Sequence, residues 1–299
     1  MNGFTRFING IFTRTIAPLV PDKYYLMIMY RMVFGRKLDL KNPKTHSEKL
    51  QWLKLYDRRP EYSTMVDKYE AKKYVSSIIG TEYIIPTYGV WDNAEEIEWD
   101  KLPNQFVFKC THDSGGLIIV KDKKTVDRVE IEKRLYRMLK RSYYKTGGRE
   151  WPYKNVKPRV MAEQFMISND TPNHDIPDYK FFCFNGEPRV LLFCTERKNG
   201  SSKWDFYDMD MQRIKVAALH HETTNLNFGD FVSREVFEKM KEVARSLAKV
   251  KAYLSVDLYY INKQIYFGEL TFFSGGGWLQ YEPEDFDLTL GNMLTLPTK

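Results

Sequence analysis

A chain of 299 residues with 43% apolar and 15% aromatic content buries a substantial core, as one large domain or two lobes, and this composition excludes a disordered protein. The net charge of +7, from 46 basic against 39 acidic residues, points to an anionic partner such as a nucleotide, a sugar acid or a membrane surface. No zinc-finger, RNP or helix-turn-helix pattern accompanies that charge, so nucleic acid is not an expected partner.

Cys110, Cys183 and Cys194 show no C-x-x-C spacing, so the expected compartment is a reducing one, the cytoplasm. The histidines show no metal-ligand spacing, which argues against zinc catalysis. No run of about eighteen apolar residues is present, so no membrane span is expected.

In chain order, Phe4, Phe7, Ile8, Ile11 and Phe12 recur at helical spacing beside Arg6 and Arg14. Such a segment packs on the protein's own body, the commoner use, or lies on the inner face of an anionic membrane. Helices are predicted over 22–35, ending at Gly35, over 45–56 after a Thr45 or Ser47 cap, and over 61–79, ending at Gly80. Residues 83–91 are extended, interrupted by Pro86 and Gly89. Strands 106–109 and 117–120 flank a polar loop, 111–116, which lacks the Walker P-loop pattern. Lys109 stands on an apolar strand, where an unpaired lysine is hard to explain structurally.

Helix 126–145 places Ile131, Leu135, Met138 and Leu139 on one face. Strands 159–165, 178–184, 188–195 and about 204–208 follow, with Asn185-Gly186 as a hairpin turn. Helix 233–252, capped by Ser233, directs Val236, Met240, Val243 and Leu247 to the core.

Residues 255–277 read as a β-hairpin interrupted by Asn262-Lys263-Gln264. A three-residue turn pairs Ile261 with Ile265 and sets Asp257 opposite Glu269, on the faces of Tyr259 and Thr271. Two opposed carboxylates repel unless a cation joins them, and their oxygens suit Mg²⁺. A two-residue turn instead puts the acids on opposite faces, as solvated surface groups.

The ordered set Asp67-Lys68, Lys109 before a Gly/Ser loop, Glu163 after a strand, Asp178-Tyr-Lys180 and Asp257…Glu269-Leu-Thr271 resembles an ATP-grasp enzyme. Three stretches, PKTHSEKLQWLKLYD at 43–57, DYKFFCFNG at 178–186 and FGELTF at 267–272, are similar to the TupA-like branch, which occurs with cell-surface polysaccharide and teichuronopeptide synthesis.

The resemblance implies an α+β fold of two lobes clamping ATP: a helical region at 1–82, a small lobe at 83–166 and a large lobe at 167–299. It assigns Lys68 and Lys109 to the phosphates, and His112, Ser114, Gly115 and Gly116 to a lid. Glu163, Gln164, Phe165 and Met166 become the adenine hinge, with Asp178 at the ribose. Lys180 goes to phosphate or the acyl intermediate, and Asp257, Glu269 and Thr271 to Mg²⁺. The family's arginine two residues before the metal aspartate is Ser255 here, so Arg189 or Arg197 substitutes or catalysis is weaker. The usual Glu-x-Asn becomes Glu269-Leu-Thr271, which fits the branch.

The implied activity is carboxylate–amine ligation on an acidic sugar or glycan precursor with an amine co-substrate. Alternative readings are an ATP-grasp kinase, a glycosyltransferase, or a decayed glycan-binding module.

Overall fold

The computed structural model describes residues 19–146, 148–169, 171, 175–198, 201–224 and 226–298, with backbone alone at 197, 198 and 201. The amphipathic 4–12 stretch lies outside the described residues. None of the described helices is long and apolar enough to cross a membrane.

The described chain opens with four helices: α1 (Asp22–Phe34), α2 (His46–Tyr56), α3 (Glu61–Val66) and α4 (Glu70–Ile79). Thr45 starts α2 through a reciprocal capping box with Glu48, a cap worth about 1 kcal/mol. The predicted single helix over 61–79 is broken between α3 and α4. Asp67 is extended there, and its Oδ1 accepts from the Tyr69 and Glu70 amides at 2.9 and 3.1 Å. The Lys68 amide meanwhile donates to the Thr111 carbonyl at 3.0 Å, so a tertiary bond takes it out of the helix.

A four-stranded antiparallel sheet follows, in the order β1-β4-β2-β3, from β1 (Thr87–Trp91), β2 (Phe106–Cys110), β3 (Leu117–Val120) and β4 (Val160–Gln164). Alternation gives it two unlike faces. Phe106, Phe108, Ile118 and Ala162 pack under Trp99 and against Ile131 and Leu135 of α5 (Arg128–Leu139). The register sets Val107 beside Glu163 and Lys109 beside Leu117 on the opposite face. The predicted 126–145 helix stops at Leu139 and restarts as the short α6 (Tyr143–Thr146). Arg141 lies at that break, where its carbonyl meets His112 and its guanidinium meets Asp113.

A second antiparallel sheet runs β11-β10-β5-β6-β7-β8. Its strands are β5 (Asp178–Phe184), β6 (Glu187–Lys198), β7 (Ser201–Tyr207), β8 (Arg213–Ile214), β10 (Tyr253–Ile261) and β11 (Gln264–Thr271), while β9 (Ala217–Ala218) pairs with β12 (Tyr281–Glu282). Asn185 and Gly186 turn β5 into β6 with positive φ at both, the twist a two-residue hairpin requires. One face is covered by α7 (Arg234–Ala248), capped by Ser233, through Phe237, Met240, Ala244 and Leu247. Val236, expected in the core, is only partly buried. On the other face, His46 of α2 packs among Phe182, Phe184 and Tyr253. The terminal α8 (Phe286–Met293) locks α2 in place, for Asp287 accepts from the Ser47 amide at 2.9 Å. Residues of α2, α3 and α4 share this sheet's apolar cluster, whereas the four-stranded sheet has its own.

Candidate active site

The hairpin β10–β11 has a two-residue turn, not the predicted three. Asn262 and Lys263 take φ of 50° and 65°, and Ile261 faces Gln264 rather than Ile265. Asn262 suits the left-handed region, and its side chain ties the turn to Ile167 and Asn169 at 3.1 and 2.9 Å. Such a turn alone would set Asp257 against Gly268. A bulge there shifts the register by one residue, and Asp257 faces Glu269 after all. Glycine suits this point, since a Cβ would lie 3.0 Å from the Asp257 carbonyl oxygen and from the Tyr259 ring and would press on both.

The register across β5, β10 and β11 then stands Lys180, Asp257 and Glu269 in one row. Lys180 is ion-paired to Asp257 and, at 2.8 Å, to Asp178. Ser255 Oγ donates to Asp257 Oδ1 at 2.8 Å, so this serine occupies the aspartate's second oxygen. Lys68, from the α3–α4 break, reaches Glu269 at 3.4 Å, and Thr271 Oγ1 donates to the same carboxylate at 3.2 Å. Burial raises the Asp257 carboxyl, with Lys180 opposing. Burial would raise Glu269 too, but Lys68 and Lys180 outweigh it and hold that group low.

Across the cleft, Lys109 is ion-paired to Glu163, and Lys72 of α4 takes the other oxygen of Glu163 at 2.9 Å. Burial pushes Glu163 up, yet the two lysines more than compensate and hold it below the usual carboxylate range. Lys109, hard to explain structurally on an apolar strand, thus has a structural partner in Glu163.

Two cavities are lined by these side chains. The larger, about 670 Å³, is lined by Lys109, Glu163, Gln164, Phe165 and Met166, with apolar residues at Val107, Leu117, Ile119 and Ile261. The smaller, about 170 Å³, is lined by Lys180, Asp257, Glu269 and Thr271. The 111–116 loop contributes to both, Gly115 to the larger and Ser114 to the smaller. His112 is buried, and its Nε2 lies 3.1 Å from the Arg141 carbonyl. Gly116 abuts Asp113 and Met138.

Lys68, Lys109, Glu163, Lys180, Asp257, Glu269 and Thr271 are thus brought together, with Asp178 behind Lys180. Arg189 is not: it is exposed beside the 185–186 turn, three residues along β6 from Leu192, the partner of Lys180. The side chain of Arg197 lies outside the described residues.

Sequence reasoning missed Lys72, which lies on a predicted helix and in none of the quoted motifs. It also missed Arg159, whose guanidinium joins Asp67 and Glu70 at 2.9 and 3.1 Å and so holds the break that presents Lys68. Lys54 was missed as well. It is fully buried, and its ammonium holds the carbonyls of Gly148 and Gly276 at 2.7 and 2.6 Å. Burial lowers its pKa to about 7. The signal for it was its place within the 43–57 motif.

Oxygen donors from two carboxylates and two hydroxyls suit a hard cation that keeps waters and substrate phosphates as its other ligands. Among the described residues no cluster of three or more carboxylate, histidine or cysteine ligands exists, so a cation here would depend on the phosphates. The donors fit Mg²⁺ on those terms, with each acid neutralised by a lysine in its stead.

Two antiparallel sheets closing on a cleft of lysines and acids, with a glycine loop at its mouth, form an ATP-grasp fold of the α+β class. The chain belongs to the TupA-like ATPgrasp family, whose sequence profile matches residues 48–295. Curated proteins yielded no match.

Among solved structures, the chain is similar to D-alanine–D-alanine ligase from Helicobacter pylori, with 14% identity and a TM-score of 0.45 over 85% of this chain and 70% of that one. Biotin carboxylase from Campylobacter jejuni, in complex with β,γ-ATP, gives 12% identity and a TM-score of 0.46 over 84% and 49%. The ATP complex of the Bacillus anthracis D-alanine–D-alanine ligase gives 16% and 0.37 over 69% of this chain, which spans about half of that enzyme's length, 53%.

Proposed function

We propose that the protein is an ATP-dependent carboxylate–amine ligase acting in the cytoplasm on a uronic acid of a cell-surface polysaccharide precursor. The row Lys180–Asp257–Glu269, within electrostatic reach of Lys68 and Lys109, is the observation that supports this reading. Phosphoryl transfer needs positioning and charge neutralisation more than covalent chemistry, and these side chains supply both.

The larger cavity accepts the nucleotide, its apolar walls taking the base and the 164–166 backbone its hydrogen bonds. Lys109 and Lys68 hold phosphate oxygens, releasing Glu163 and Glu269 from one partner each. A magnesium ion held by Asp257, Glu269 and Thr271 would add positive charge against the transferred phosphoryl group. The substrate carboxylate attacks the γ-phosphorus, the bond to the ADP oxygen breaks, and an acyl phosphate forms. The amine then attacks the acyl carbon, phosphate leaves with the C–O bond pair, and the nitrogen loses a proton. Lys180 neutralises the acyl phosphate, and the lid loop keeps water from it.

The test is ADP release with the purified chain. It should require both a carboxylate and an amine and should yield an amide by mass spectrometry; a phosphorylated hydroxyl product would make the protein a kinase instead.

A further inference from the structure

Helix α1 is apolar on two sides. Its inner side, Tyr25, Leu26 and Tyr30, is buried with Leu38, and Leu55 of α2 and Trp278 pack against that cluster. Its outer side carries Tyr24, Met27 and Ile28, which are 58%, 40% and 40% exposed, and Leu19 just before the helix is 85% exposed. Positions 24, 27, 28 and 31 follow the helical repeat, so the outer side chains form one stripe that ends at Arg31. A helix that buries one apolar side and shows solvent a second has a further surface to cover.

Charge decides what that surface is. Residues 1–37 hold six basic side chains, Arg6, Arg14, Lys23, Arg31, Arg36 and Lys37, against one acid, Asp22, a net +5 in a chain of +7. Asp22 is already engaged by the protein's own body, for Arg58 donates to its Oδ2 at 2.8 Å and Arg149 stands 3.9 Å from its Oδ1. Lys23, Arg31 and Lys37 are exposed and make no ion pair among the described residues.

A second copy of the chain, seated on this stripe about a two-fold axis, would set like charges against each other. The chain's own 4–12 stretch is flanked by Arg6 and Arg14, and α1 has no unengaged acid to answer them. An anionic bilayer meets both features, since apolar side chains enter its interface and basic ones meet its head groups.

We propose that α1 docks the protein on an anionic lipid surface, with Tyr24, Met27 and Ile28 inserted and Lys23 and Arg31 at the head groups. The docking surface goes beyond the ligase reading and does not depend on it.

The experiment is co-sedimentation of the full chain with two kinds of vesicle, phosphatidylcholine alone and phosphatidylcholine with phosphatidylglycerol as about a third of the lipid. Binding to the mixed vesicles should be at least tenfold tighter than to the neutral ones and should weaken as salt rises. The double variant Lys23→Gln/Arg31→Gln should lose at least tenfold in affinity for the mixed vesicles, each charge being worth about fivefold. The triple variant Tyr24→Ser/Met27→Ser/Ile28→Ser should lose at least as much. AMP-PNP affinity should stay within twofold of wild type in both. The cysteines are buried, so an environment-sensitive fluorophore on Ile28→Cys reports that position alone. Its emission should shift to the blue on mixed vesicles, whereas the same label on Lys239→Cys, on the exposed side of α7, should not respond.

The comparison of the two lipids on the wild-type chain needs no variant. Equal binding to both vesicles, binding to neither, or unchanged binding by the folded triple variant would overturn the proposal. A wild-type dimer in solution that the triple variant dissociates would overturn it in favour of a second copy. An Ile28 label already blue-shifted without lipid, and unmoved by it, would overturn it in favour of the chain's own 4–12 stretch.

Discussion

Glu163 is the residue on which the four-stranded-sheet side of the cleft depends. It is buried and shared by Lys109 and Lys72, so removing the acid strands two lysines, whereas removing either lysine leaves one pair intact. Glu163→Ala should therefore cost on the order of 3–5 kcal/mol, the usual penalty for breaking a buried pair, and Lys109→Ala less, as read from urea midpoints. Lys109→Ala should still abolish turnover, and a wild-type rate would contradict its placement at the phosphates.

The pH dependence carries the same signature. The Glu163 pKa is depressed in the folded state, so its stabilisation is complete above the ordinary glutamate value and is lost as pH falls through the depressed one. His46 adds to this. Burial holds its imidazole at about 3 against a usual 6.5, so the unfolded chain binds a proton that the folded chain refuses between those values. Stability should fall on acidification below about pH 6.5, with a limiting slope from this one group of about 1.4 kcal/mol per pH unit. His46→Phe should flatten that slope, and unfolding free energies at pH 7, 6, 5 and 4 would measure it.

At the level of elements, two local irregularities do the positioning. The break between α3 and α4 exists because Asp67 caps α4 and Arg159 braces it. Asp67→Ala should cost about 1–2 kcal/mol as a lost cap. It should also lower kcat, because Lys68 is presented by the broken turn; a stability loss with unchanged kcat would refute that link. The bulge at Gly268 is the second. Gly268→Val meets the Asp257 carbonyl and the Tyr259 ring, and it should raise the magnesium concentration needed for half-maximal activity by at least tenfold. Periodicity foretold β5 and β11 well but neither irregularity. A helix break made by a bond to Thr111, and a bulge that reverses the effect of a two-residue turn, leave no mark on local hydrophobic spacing.

At the level of the whole molecule, the cleft joins two sheets with separate cores, and Lys68 and Lys109, proposed to hold phosphate, are held by acids from both. Nucleotide binding should therefore stabilise both sheets together. Magnesium AMP-PNP at a hundred times its Kd should add about 2.7 kcal/mol. Hydrogen exchange should slow in both β2–β4 and β10–β11; protection confined to one sheet would exclude a ligand that bridges the cleft.

The amino-acid order by itself determined the elements that repeat regularly, the hairpin acids and the motif set that carries the ATP-grasp resemblance. Those are properties of alternation, helix spacing and short patterns. Only the tertiary structure decided what each charged group is paired with. It joined Lys109 to Glu163, added Lys72, set Arg189 away from the centre and brought Glu150 and Tyr153 to the second cavity. Such pairings depend on which distant segments pack together, and no local pattern of side chains encodes that.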